Sequence, residues 1–151
     1  MKNVASARDL LDRVRLREVQ FYEIHARLNA GFADGGDDTG AATEGPQKWD
    51  LQLQLRETDL GVRCRLDVGA PDANYVVDAA IFYDFDESLK IEPAALAEFV
   101  NRAAFFALYP FVREALHSAG RKIGAQAPLL GMLDPAENRV EFIFDGTGEQ
   151  N

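Results

Sequence analysis

AAFFALYPFVREAL, residues Ala103 to Leu116, decides how the rest of the chain is read. Ten successive apolar or aromatic residues, Ala103 to Val112, run into the pair Arg113-Glu114. Leu108, Val112, Ala115 and Ala119 recur at helical spacing, with Phe105 one turn earlier, and share one stripe. Phe106, Tyr109 and Phe111 fall off that stripe, so the helix is apolar on more than one side. Such a helix is packed from several directions or carries an interface. The apolar run is shorter than the roughly 20 residues a bilayer span needs. Pro110 lacks an amide hydrogen and crowds the preceding turn, which predicts a kink or a restart of the helix there.

Working back from this stretch, Pro93 follows Ile91-Glu92 in the position of a first helical residue. Leu96, Phe99, Val100 and Ala103 then lead into the stripe. Downstream, Gly120 or Gly124 beside Arg121 and Lys122 closes the helix. Pro128 to Leu133 reads as extended, and Val140 to Phe144 as a short strand after the Asp134-Pro135 turn.

The first half has the period of strands. Leu16 to Leu28 alternates but slips: Val19 and Phe21 share one face, while Tyr22, Ile24, Ala26 and Leu28 share the other. A bulge near Phe21-Tyr22 accounts for the slip, and a strand apolar on both faces, as at a subunit interface, is the alternative. Trp49 to Leu55 and Val62 to Val68 alternate cleanly, with a tight turn expected over Glu57 to Gly61. Tyr75 to Phe85 puts Tyr75, Val77, Ala79, Ile81, Tyr83 and Phe85 on one face, with Val76, Ala80 and Phe82 among aspartates on the other. Four strands at hairpin spacing followed by a long, proline-containing helix give an α+β fold, a four-stranded antiparallel sheet with the helix packed on one face. The chain reads as a single domain over 1–151. Residues 1–15 form an N-terminal helix or arm, with Ser6 as helix start and the helix running to Val14. Residues 31–47, with five glycines, form a mobile loop, and 145–151 a flexible tail.

Bulk properties narrow the function. At 151 residues and 47% hydrophobic content the chain can bury a sizeable core. A net charge of −9 argues against nucleic-acid binding, which needs clustered Lys and Arg. The single cysteine excludes an internal disulfide and a cysteine-based zinc site, and Cys64 alternates with Val62 and Leu66 as a core residue. Arginines and aspartates break up the N-terminus, so a cytoplasmic protein with no membrane insertion is expected.

No catalytic constellation stands out. His25 and His117 are isolated, and no nucleotide-binding or nucleophile-elbow motif occurs. Asp84, Asp86 and Glu87 could form an acid/base set, although a solvated strand end explains them as well. What is in surplus is apolar surface: both sides of Tyr75 to Phe85, several sides of Ala103 to Val112, and Trp49. Surplus of that kind marks oligomerisation or binding.

FALYPFVREAL resembles the Leu-Phe-Pro-Tyr-Ala-Arg-Glu signature that opens the long helix of SecB-type protein-export chaperones. Here it is carried by Leu108, Tyr109, Pro110, Phe111, Val112, Arg113 and Glu114. Ala79-Ala-Ile-Phe82 resembles the family's Gly-x-Phe strand, and Gln47-Lys-Trp49 its tryptophan-bearing segment. The resemblance implies a SecB-like sheet with helices on one face and assembly into dimers and a tetramer. It also implies ATP-independent holding of unfolded preproteins for the translocase motor ATPase, with no cofactor and no catalytic residue. Apolar grooves would take the extended chain, and the candidates are Trp49, Phe82, Tyr109, Phe111, Leu129, Leu130 and Leu133, each equally placed for core or subunit interface. Two features depart from the pattern. Asp134-Pro135 and Val140 to Phe144 stand where the family has a second helix, and EVQFYEIHARL lacks the acidic Lys-Asp-x-Ser-Phe-Glu run. With Ala107-Leu-Tyr-Pro110, these make the chain resemble the divergent SecB-like proteins that protect an aggregation-prone antitoxin in toxin–antitoxin systems.

Overall fold

The structure, a computed structural model, describes residues 1–31, 47–126 and 130. In chain order the elements are β1 (Lys2–Val4), α1 (Ala7–Leu11), β2 (Val14–Leu28), β3 (Gln47–Leu55), β4 (Asp59–Gly69), β5 (Ala73–Phe85), β6 (Leu89–Ile91), α2 (Pro93–Phe99), a π turn (Val100–Ala104) and α3 (Phe105–Lys122). Four strands form an antiparallel sheet in the order β2-β5-β4-β3, and β1 pairs with β6 in parallel as a small second sheet. The loop expected over 31–47, apart from its ends, lies outside the described residues. So do Leu129, Leu133, the extended reading of Pro128 to Leu133 apart from Leu130, the strand expected at Val140 to Phe144, and the 145–151 tail.

Alternation dictates the layers. Leu60, Val62, Cys64, Leu66 and Val68 of β4 and Tyr75, Val77, Ala79, Ile81, Tyr83 and Phe85 of β5 point to one side and are buried under the helix. α3 covers them with Phe105, Leu108, Val112, Ala115, Leu116 and Ala119, the stripe read from sequence with Leu116 added. Burial pushes the Cys64 thiol up to about 12 and the Tyr83 phenol up to about 12, so both are held neutral in the core.

The slip in β2 is a pair of irregularities. One falls between Phe21 and Glu23, where the sequence placed it, and another between Leu16 and Glu18. Three expectations are corrected. The first helix stops at Leu11 instead of reaching Val14. Ser6 does cap it, its hydroxyl accepting the Asp9 amide at 3.1 Å, but Val14 is already paired with Phe85 in the sheet. Second, Gly61 is not a turn residue: the β3–β4 turn is complete by Asp59, and Gly61 lies inside β4. A Cβ there would come within 2.8 Å of Phe82 Cε1, so glycine leaves room for that ring. Third, the helix does not restart at Pro110. α3 passes through it, and Pro110 is exposed, so the carbonyl it leaves without a donor is on the side open to water. The irregularity sits earlier, in the π turn, where buried Asn101 donates its side-chain amide to the Ala97 carbonyl at 2.9 Å. As the sequence reading expected, α2, the π turn and α3 run on as one helix, Pro93–Lys122. By length and composition it could cross a membrane, but half of the qualifying window is buried within the protein.

The helix end follows the rule for a glycine stop. Gly124 takes φ +74°, its amide donates to the Arg121 carbonyl, and the Ala125 amide donates to the Gly120 carbonyl at 2.9 Å.

Candidate functional site

α3 lies over the middle of the sheet, which leaves a flank on each side of it. On the β3 side, Trp49 is half-buried and stands edge-on to Phe105 (5.5 Å between ring centres) while stacking on Tyr109 (5.9 Å, 28° between planes). Phe105 and Tyr109 are themselves 6.0 Å apart. Trp49 shares the helix-facing side of β3 with Leu51, Leu53 and Leu55, all half-buried, because this edge strand lies beyond the full reach of the helix.

The other flank faces β2. Phe111 is two residues past Tyr109, hence about 200° around the helix axis, and so lies away from Trp49. It is 46% exposed. Across from it, Leu16, Ile24 and Leu28 pair with Tyr83, Val77 and Ala73, which sets them on the helix-facing side of the sheet. They remain 57%, 53% and 45% exposed, with Val19, Phe21 and Ala26 half-buried among them. This is an apolar strip along a sheet edge.

The opposite face of the sheet is built from charge. Arg63 grips Asp78 with two hydrogen bonds of 2.9 and 2.8 Å and stacks over Tyr22 at 4.1 Å. Arg65 reaches Glu23 at 2.8 Å, Arg17 reaches Asp84 at 2.7 Å, and Arg15 reaches Asp86 at 3.0 Å. The Arg63 hydrogen bonds hold the buried Asp78 carboxyl below its ordinary range, against the desolvation that would raise it. A hollow of about 400 Å³ here is lined by Asp50, Gln52, Arg63, Arg65 and Asp78, whose arginines and Asp78 answer one another. The carboxylates considered as an acid/base set, Asp84 and Asp86, are engaged by arginines of β2. Among the described residues no group of three His, Cys, Asp or Glu side chains could hold a metal ion.

The sequence-predicted site residues therefore separate. Trp49 and Tyr109 meet on one flank, and Phe111 stands on the other. Phe82 is on the charged face, under the Arg17 guanidinium at 5.1 Å. Leu130 is buried in the core, and Leu129 and Leu133 lie outside the described residues. Of the signature positions, Leu108 is buried, Arg113 half-buried, and Pro110 and Glu114 exposed. The Leu16–Ile24–Leu28 strip was missed as a surface. The phase slip signalled it, but only the strand order makes β2 an edge.

No protein-family model matches the chain. The SecB-like chaperone SmegB of Mycolicibacterium smegmatis is 28% identical over 127 residues, which cover 83% of this chain and 79% of SmegB. The chain is similar to a SecB-like chaperone over most of its length. Its architecture agrees: the Mycobacterium tuberculosis SecB-like chaperone Rv1957, solved in complex with a ChAD peptide from the HigA1 antitoxin, superposes with a TM-score of 0.68. That match covers 84% of this chain and 96% of Rv1957 at 16% identity, a likeness of fold. The SecB-like sheet of four antiparallel strands under a long helix is the one expected from the signature and strand spacing.

Proposed function

We propose that this chain is an ATP-independent chaperone, a single domain that holds non-native polypeptide against the apolar flanks of α3. The supporting observation is the Trp49–Phe105–Tyr109 cluster, in which Trp49 stays half-buried against two buried rings, in a chain related to a SecB-like chaperone. Aromatic and aliphatic walls bind extended chain through area removed from water, about 25 cal/mol per Å². Folded clients hide the segments that would fit, so selection needs no sequence readout and no catalytic residue. Phe111 and the Leu16–Ile24–Leu28 strip would supply the second wall or a contact between copies in a dimer or tetramer. The chain is read as cytoplasmic, and it is not an enzyme in this reading.

A dedicated role with one partner is the second reading. Rv1957 is a SecB-like chaperone solved with an antitoxin peptide, and the lack of the acidic Lys-Asp-x-Ser-Phe-Glu run in β2 favours a partner of that kind over the translocase motor. The deciding experiment is capture of a reduced, unfolded polypeptide beside the same polypeptide folded. Capture of several unrelated unfolded chains supports the general holdase. Capture of an antitoxin tail with indifference to the others supports the dedicated one. Capture of neither sinks both.

A further inference from the structure

β3 ends the sheet on the Trp49 side, and among the described residues it has no neighbour on its outer edge. Its register to β4 runs unbroken from Gln47 opposite Val68 to Leu55 opposite Leu60. β2, the other edge, is interrupted twice, between Leu16 and Glu18 and between Phe21 and Glu23. Bulges and prolines discourage a further strand from adding to an edge, and β3 has neither. Trp49, Leu51, Leu53 and Leu55 on its helix-facing side stay half-buried, while Lys48, Asp50, Gln52 and Gln54 on the other side are exposed. A strand added here would continue that apolar row, so it must divide its own residues in the same way.

A stretch of that kind follows the helix. In Arg139-Val-Glu-Phe-Ile-Phe-Asp145, Val140, Phe142 and Phe144 share one side and Glu141 lies on the other. These residues lie outside the described ones, but their tether does not. The Gln126 amide donates to Asp72 Oδ2 at 3.1 Å, in the turn between β4 and β5. β3 starts at that end of the sheet, where Gln47 pairs with Val68. Val140 is fourteen residues past Gln126, about 45 Å of extended chain, against about 30 Å for the nine residues of β3. A second copy fits the edge less well. An edge about 30 Å long and about 10 Å thick offers about 300 Å², well short of about 800 Å² per partner in a standard interface. A tethered segment needs no such area, because its effective concentration is millimolar.

We infer that residues 140–144 add to the outer edge of β3 in the same chain and compete with client for the Trp49 flank. The inference rests on the chaperone reading and adds regulation to it: an internal pseudo-client covers the apolar row until a better-binding chain displaces it. A tether at about 1 mM, with a segment that binds at about 0.1 mM when free, leaves about one chain in eleven open and lowers client affinity about tenfold.

The test compares the full wild-type chain with the double variant Phe142→Asp, Phe144→Asp. Amide hydrogen exchange, Trp49 emission and titration of a tryptophan-free, reduced and unfolded polypeptide are read beside a thermal melt. The β3 amides that point away from β4 are expected to be protected about tenfold in the wild type and to exchange freely in the double variant. Trp49 emission moves to the red in the double variant, and client affinity rises about tenfold. A peptide of residues 137–146, Glu-Asn-Arg-Val-Glu-Phe-Ile-Phe-Asp-Gly, added in trans moves the emission of the double variant back to the blue and leaves the wild type unchanged. Val140→Lys repeats the comparison if the double variant melts early. Outward β3 amides that exchange freely in the wild type, readable without any variant, overturn the inference. So does protection retained in a folded variant, which puts another segment on the edge, or equal client affinity in the two proteins. Protection that fades on dilution places the segment on a second copy and also overturns it. Protection lost in the variant while neither protein captures any unfolded polypeptide refutes the chaperone reading, and the competition falls with it although the segment keeps its seat.

Discussion

Replacing Phe111 by Asp separates binding from folding better than any other change on the helix. Phe111 is 46% exposed, so about half of its ring is already in water. Full burial of such a side chain stabilises by about 1.5–3 kcal/mol, which leaves about 1 kcal/mol at stake here. Asp and Phe have similar helix propensities, so the backbone term nearly cancels. Against a domain stability of about 5–15 kcal/mol the variant stays folded, with a melting temperature lower by about 2–4 °C. Tyr109→Asp is a poor probe by the same reckoning. Tyr109 is 8% exposed and stacked on Trp49, and truncating such a ring costs about 3–5 kcal/mol before the buried charge is counted. Lost capture in that variant would report unfolding. For Phe111→Asp, loss of a central apolar anchor is worth about 2 kcal/mol or more, or at least about thirtyfold in affinity for an unfolded polypeptide. The assay is titration of that polypeptide alongside a thermal melt. Wild-type affinity in the folded variant would refute a role for the β2-side flank and confine binding to the Trp49 side. A drop in melting temperature beyond about 10 °C would mean that Phe111 is covered in the assembled protein and is not free to bind.

Trp49 is the sole tryptophan, so a tryptophan-free unfolded polypeptide that covers it should shift its emission to the blue; a saturating client that leaves the spectrum unchanged puts binding elsewhere. Asp78→Asn should lower stability at pH 7 by about 2 kcal/mol, less than for a wholly buried pair because Arg63 keeps contact with solvent. Since the folded state holds the Asp78 carboxyl below its unfolded value of about 3.9, the pair's contribution is present above that pH and lost as pH falls through the lower folded value. Urea melts at pH 7 and pH 3 should therefore differ more for wild type than for Asp78→Asn. Gly124→Ala should cost about 1 kcal/mol by melt, purely through the positive φ, since a Cβ there meets nothing within 4 Å.

Most of the sheet was legible because its strands alternate in plain view. β4 and β5 read correctly on their core face, since burial under a helix leaves every second residue apolar without exception. Even the β2 irregularity at Phe21–Glu23 showed, because one inserted residue inverts every side chain after it. The misses share a different cause. Gly61 looked like a turn glycine because its reason for being small, the ring of Phe82, lies 21 positions away in sequence on the neighbouring strand. β1 and β6 are three residues each, too short to carry a period, and form only by pairing with one another. Phe82 was grouped with Trp49 and Tyr109 on chemistry alone. The parity of β5 puts it on the charged face, and its Arg17 cover comes from a bulged position that no local pattern marks.

The size of each flank bears on which chaperone reading can hold. Two or three partly open side chains, at about 1.5–3 kcal/mol for each anchor they bury, sum to about 3–9 kcal/mol. Association and ordering of an extended client cost about 4–15 kcal/mol, so one flank on one chain leaves little net affinity. A general holdase on this fold must therefore place several flanks within reach of the same client, where effective concentration multiplies weak contacts. A dedicated chaperone can instead gain the difference from a matched partner, through polar contacts that reward one chemistry. The two routes respond oppositely to dilution. Affinity for a long unfolded client should fall when dilution dissociates the assembly under the first, and affinity for a short matched peptide should be independent of assembly under the second. A monomer by light scattering that still captures long, unrelated clients at micromolar concentration would contradict this accounting, since the flanks exposed on one chain are too small to do it.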